Sequence, residues 1–287
     1  MFFKVLIMLG GLVTLACFGL NKGYSQTRLI QAIPTKSFGF LPLFVAQERG
    51  FYYAEELEVL APVMKMPPSV AALISGEVNF AAADSAMRAA LTGTPVKAMV
   101  FYYDRPTMLF LGRPEIRAVR DLQGKNIAIL SYGSAVDFAT RQILRAHGLA
   151  DKDYTLVPMG PEPQRMLGLA KGLVHASLFN PDGAAIAETQ VEGLKILASF
   201  GDLQRTPFSG FAASARFVSA NPETVKRFLR ATVKAIVLTR DQPHITARVA
   251  EKALGLEGKA ALSAVRSIVG AISVKDPGGF TEAGMRA

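Results

Sequence analysis

Past residue 25 the apolar positions fall into short strand-like runs separated by stretches of helical spacing. Residues 29–33 read as a strand and 34–40 as a loop. Leu41–Arg49 follows as a helix that Pro42 opens and Gly50 closes. Leu57–Leu60, Val78–Ala82 and Val96–Tyr102 are the next strands, with helices over Ser69–Ser75 and Ser85–Leu91 between them. The same order then recurs 96 residues on: Ile33 falls on Ile129, Leu73 on Leu169, Gly76 on Gly172, Val78 on Val174 and Asp84 on Asn180.

The second copy runs through a strand at Asn126–Leu130, a loop at Ser131–Ser134 and a helix at Ala135–Ala146. Thr155–Pro158, Val174–Phe179 and Leu194–Ser199 complete its strands, with helices at Pro163–Lys171 and Asp182–Thr189. A two-residue gap brings Leu194 onto Val96. Alternation of this kind predicts an α/β protein of two lobes, each a mostly parallel sheet flanked by helices. Thr107–Leu111 is an apolar run leaving the first lobe, and Phe211–Phe217 is the run that returns. Two crossover strands make a hinge. The expected boundaries are 26–112 for the first part of lobe one, 113–210 for lobe two, and 211–287 for the return and the C-terminal helices.

Residues 1–25 carry Lys4 and then an apolar stretch from Val5 to Leu15, which reads as an export signal. Gly23-Tyr24-Ser25 fits cleavage before Gln26. Alternatively, Thr14-Leu15-Ala16-Cys17 fits a lipoprotein signal that would acylate Cys17. Either scheme places the rest of the chain in the periplasm or at its membrane face. Cys17 is the sole cysteine, so disulfides, cysteine–zinc sites and thiol nucleophiles are excluded beyond it. Three scattered histidines, of which His147 and His175 read as structural or surface groups, argue against a metalloenzyme, and no cofactor is expected. The net charge of +9 is spread thinly, without the basic runs that nucleic-acid binding needs.

Ligands of such folds sit where loops at the carboxyl ends of strands meet helix N-termini. Here those loops are Thr35–Phe40, Ala83–Ser85, Ser131–Ser134, Gly160–Gln164 and Asn180-Pro181. Ser134 and Asp137 have the spacing of a capping box, and Gly133 would let a ligand oxyanion approach the helix end. Plain capping explains the same letters. Asp84 reads either as the N-cap of the next helix or as a crevice carboxylate that binds an amine and repels an anion. Lys36 pairs with an acidic ligand or is simply solvated. Catalytic signatures such as Gly-x-Ser-x-Gly and His-Glu-x-x-His are absent.

Several stretches together carry a likeness. Pro42–Phe51, Leu73–Phe80, the run Arg120-Asp121-Leu122-Gln123-Gly124-Lys125 and Asn221–Phe228 resemble segments of type II periplasmic binding proteins that serve ABC importers. The subgroup is linked to nitrate, sulfonates, taurine and thiamine-pyrimidine precursors. The resemblance implies a monomeric, non-enzymatic protein that captures a small molecule and delivers it to importer permease subunits. It also implies ligand contacts from Ser37, Phe38, Asp84 and Ser85 in one lobe, facing Ser131, Gly133, Ser134 and Asn180 in the other. Relatives continue further past residue 280, which suggests truncation. An enzyme on the same fold acting on a pyrimidine-like ring, or a tethered ligand sensor, is the alternative. The related eukaryotic pyrimidine synthase relies on cysteines that this chain lacks beyond Cys17.

Overall fold

The computed structural model describes residues 26–256, 258–273 and 275–279. The export segment and Cys17 lie outside the described residues. Lobe one starts with β1 (Thr27–Ala32), a 3-10 turn at Phe38–Phe40, α1 (Leu41–Glu48), α2 (Phe51–Ala54), β2 (Leu57–Leu60) and α3 (Met66–Ser75). It continues with β3 (Phe80–Ala82), α4 (Ala83–Ala90) and β4 (Val96–Tyr103). Then come β5 (Leu109–Gly112), β6 (Asn126–Ile129), α5 (Ala135–Ala146), β7 (Thr155–Pro158), α6 (Glu162–Ala170), β8 (Ala176–Phe179), α7 (Pro181–Gln190), β9 (Lys195–Ser199) and α8 (Phe200–Leu203). The chain ends in β10 (Phe208–Ser214), α9 (Ala215–Ala220), α10 (Pro222–Asp241), α11 (Pro243–Leu254) and α12 (Gly258–Val269).

Two five-stranded sheets result, in the orders β2-β1-β3-β10-β4 and β7-β6-β8-β5-β9. The orders are the same pattern twice, so the repeat seen in the letters is a repeat of topology. In each sheet four strands run one way and the fourth in order runs against them. That reversed strand is the crossover, arriving from the other lobe. It moves two expected boundaries. β5 follows lobe one but hydrogen-bonds between β8 and β9, and β10 begins at Phe208, earlier than the expected return at 211.

Each sheet is covered on both faces because its strands are apolar on both. In lobe one Leu29, Ile33, Phe80 and Phe211 pack under α1, α10, α11 and α12, while Ala32, Ala81 and Ala212 lie under α3 and α4. In lobe two Ile127, Ile129 and Leu178 pack beneath α5, with Leu111, Ala128 and Phe179 beneath α6 and α7. Smaller residues line the α4 side, which lets that helix sit close. The lobes also touch through α12: Ala185 of α7 joins the lobe-one core, and Ser263 donates a 2.9 Å hydrogen bond to Glu188 Oε2. Among the described residues, no helix is long and apolar enough to cross a membrane.

Candidate functional site

The carboxyl ends of β1, β3, β6 and β8 deliver the loops from which a crevice would be built. In lobe one, Ser37 precedes the 3-10 turn and is half-buried, but the Phe38 ring beside it is only 1% exposed and belongs to the core. The expectation that Phe38 lines the ligand fails for its side chain, because Tyr103 donates its hydroxyl to the Phe38 carbonyl at 2.8 Å and pins the turn inward. Asp84 is not the N-cap of α4. That position is Ala82, and Asp84 is the second helical residue, half-buried, with its carboxyl raised above the ordinary value by burial against a smaller opposing pull from Arg88. Ser85 follows it in the same turn. Lys36 is exposed and lines a groove of about 450 Å³ between α1 and α11 on the flank of lobe one.

In lobe two, the Ser131–Ser134 loop closes on itself. Ser134 Oγ accepts from the Asp137 N–H at 3.2 Å and donates to the Ser131 carbonyl at 2.7 Å. Asp137 Oδ2 in turn accepts the Gly133 N–H at 2.8 Å, one residue before the position a capping box would use, and Arg141 holds its Oδ1 at 2.8 Å. Gly133 has φ +76° with open space around it, so glycine is there for the left-handed turn and not for close packing. The Gly133 N–H that was to meet an oxyanion is already taken by the buried Asp137 carboxylate. Plain capping accounts for this loop.

Asn180 is likewise committed. It is the N-cap of α7, but its side chain does not cap; its N–H and Nδ2 both donate to Glu162 Oε1, at 2.8 and 3.1 Å. Glu162, the first residue of α6, therefore reaches over and fills the α7 N-terminus. Gly183 makes this possible, since a Cβ there would overlap the Glu162 carboxylate. Beneath lies Arg165, only 3% exposed, donating to the Gly160 carbonyl (3.1 Å), Ser177 Oγ (3.0 Å) and the Leu178 carbonyl, and stacked over the Phe179 ring. Asp182 completes the group. Burial raises the carboxyls of both Glu162 and Asp182, and each is half-buried.

The sequence points to the Gly160–Gln164 loop without singling out Glu162, and it gives no sign of Arg165 or Asp182. The strand-by-strand equivalence pairs α4 with α7, so Asp84 corresponds to Asp182 and not to Asn180; the two-residue gap falls before this helix, not before the closing strand. The histidines hold no ligand set: His147 ends α5 with its Nδ1 2.8 Å from the Ile143 carbonyl, and among the described residues no group of His, Cys, Asp and Glu could hold a metal.

The NMT1/THI5-like family model matches residues 37–245, which takes in the whole lobe-two sheet, all of the lobe-one sheet but β1, and both crossovers. The chain belongs to the NMT1/THI5-like family. It is 26% identical over 211 residues to a riboflavin-binding protein of Chloroflexus aurantiacus, RibY, covering 71% of this chain and 60% of the relative. It is also 26% identical over 213 residues to a 4-amino-5-hydroxymethyl-2-methylpyrimidine phosphate synthase of Schizosaccharomyces pombe, covering 67% and 59%. The chain thus spans about three fifths of the length of the curated relatives it matches. Among solved structures, the periplasmic aliphatic sulphonate binding protein SsuA of Escherichia coli superposes with a TM-score of 0.65 at 20% identity, over 85% of this chain and 84% of that one. The two-lobed periplasmic binding protein fold of this NMT1/THI5-like chain follows from that likeness.

Proposed function

We propose that this chain is an exported capture protein that closes its two lobes on a small, non-anionic nitrogen heterocycle and delivers it to the permease of an ABC importer. One observation carries the choice of ligand. The helix ends that would attract a sulfonate or nitrate carry the chain's own carboxylates: Asp137 at α5, taking the Gly133 N–H, Glu162 and Asp182 at α7, the former taking the Asn180 N–H, and Asp84 in the first turn of α4. An anion would have to displace them or sit beside them, and like charges in a partly desolvated cleft repel strongly. A ring amine, imide or hydroxyl would instead donate to them. The riboflavin-binding and pyrimidine-forming relatives support this reading, since flavins and aminopyrimidines carry such donors. The export-signal reading of residues 1–25 supports delivery outside the cytoplasm.

The synthase among the relatives favours a second reading, an enzyme on the same fold working on a pyrimidine-like ring. Mass spectrometry of small molecules released from the purified protein tests the first reading. Recovery of an intact heterocycle, unchanged after incubation with the protein, is the expected result. Conversion of that molecule into a product would instead make the chain an enzyme.

A further inference from the structure

Strand β10 enters lobe one through a residue in a conformation that serine rarely holds. Ser209 has φ +46°, and it is only 4% exposed, so a loose surface turn does not explain it. Left-handed backbone at a non-glycine residue persists only where the surroundings over-determine it, and such sites gather where a protein meets its ligand. The surroundings here are specific. Gly210 follows with φ +153°, and a Cβ on it would overlap the Val100 carbonyl of β4, so the chain must pass tightly at this point. On the other side, the position a Gly39 Cβ would take lies 2.8 Å from Ser209 Oγ and 3.5 Å from Ser37 Oγ. Tyr103, the register partner of Phe208, fastens the same turn by its bond to the Phe38 carbonyl.

Topology brings in one more group. Phe211 lies opposite Ala82, the last residue of β3, and α4 starts at the next residue, so the first turn of α4, with Asp84, lies at the same end of the sheet as Ser209. Three segments from distant parts of the chain therefore meet at the crevice end of lobe one: the Ser37–Gly39 turn, the start of α4, and the crossover strand.

We propose that Ser209 is a ligand-contacting residue. Its hydroxyl and that of Ser37 border the bare Cα of Gly39 and hold a neutral polar edge of the solute, one that both donates and accepts, against lobe one. The assignment rests on the reading that the crevice binds a solute. Because β10 is one of the two crossovers, contact at Ser209 acts on the hinge itself, and the left-handed backbone is what aims the hydroxyl.

The test needs no ligand. In the full chain carrying Cys17→Ser, Ser209→Cys supplies the sole thiol, and its reaction with aminoethyl and sulfonatoethyl methanethiosulfonate is followed by intact mass. The expected result is reaction in the folded state far faster than global unfolding, with the cationic reagent ahead by about tenfold because Asp84 lies at the same end of the sheet. Reaction only at the unfolding rate would place residue 209 in the core and overturn the assignment. Fast reaction with both reagents at equal rates would uphold Ser209 and contradict the acidic crevice of the proposed function. In parallel, Ser209→Gly should raise the melting temperature by about 2 °C, since glycine holds this φ without cost. An unchanged or lowered value would show that the backbone is not strained, and would remove the reason for assigning a role here.

Discussion

Asp84 and Asp182 hold the same place in the two lobes: each is the second residue of the helix that follows the third strand of its sheet. Each is half-buried, and burial raises the carboxyl of each. A carboxylate near a helix N-terminus gains from the dipole, yet here desolvation outweighs that gain. The chain has thus placed an acid at the same helix end once in each lobe.

The first prediction concerns Glu162. Replacing it with alanine strips the α7 N-terminus of its internal anion and leaves the Asn180 N–H without a partner. Glu162→Ala should therefore cost about 1–2 kcal/mol of stability. It should also create binding of propanesulfonate that the native protein lacks. Calorimetric titration of both proteins gives the comparison; equal behaviour toward the sulfonate would mean that Glu162 does not exclude anions.

A second prediction follows from the raised carboxyls. A carboxyl whose folded pKa exceeds its unfolded value binds more protons when folded, so the stability it subtracts appears as pH rises just past the ordinary carboxylate range and is absent below it. Asp182→Asn should accordingly melt higher than the native protein at about pH 7 and coincide with it near pH 3.5. Acids whose values are lowered by partners, such as Glu55 bound to Arg230, work the other way, but equally in both proteins. A melting difference independent of pH would contradict the assignment.

Ser134 is a cap. Ser134→Ala should lower stability by about 1 kcal/mol while leaving the affinity for any bound heterocycle unchanged, as read by denaturant unfolding and titration. A loss of affinity without a loss of stability would return the Ser131–Ser134 loop to the ligand site.

The lobes were legible because their hydrophobic runs are short, alternate with helical spacing and repeat, so period and order specified four strands in each copy, while the sheet that each crossover strand joins is set by pairing across the chain. The capping motif at Ser134 was legible for the same reason: it is local. Glu162 was not, because its partner Asn180 lies 18 residues away and their meeting depends on how α6 and α7 converge on β8. Arg165 reads in the sequence as one more surface cation, and only the fold shows it beneath the site. The equivalence of Asp84 with Asp182 was hidden by an alignment that carried one fixed offset too far. Phe38 came in through the family resemblance, which marks a loop position and does not say that its ring turns into the core.

The central claim, that the crevice closes on a non-anionic heterocycle, is tested most directly by small-angle scattering of the full chain with saturating riboflavin, 4-amino-5-hydroxymethyl-2-methylpyrimidine or propanesulfonate. Two lobes joined by β5 and β10 should rotate together about those strands. A smaller radius of gyration with at least one of the two heterocycles, and an unchanged profile with the sulfonate, is the predicted result. Compaction by propanesulfonate with no response to either heterocycle would contradict it.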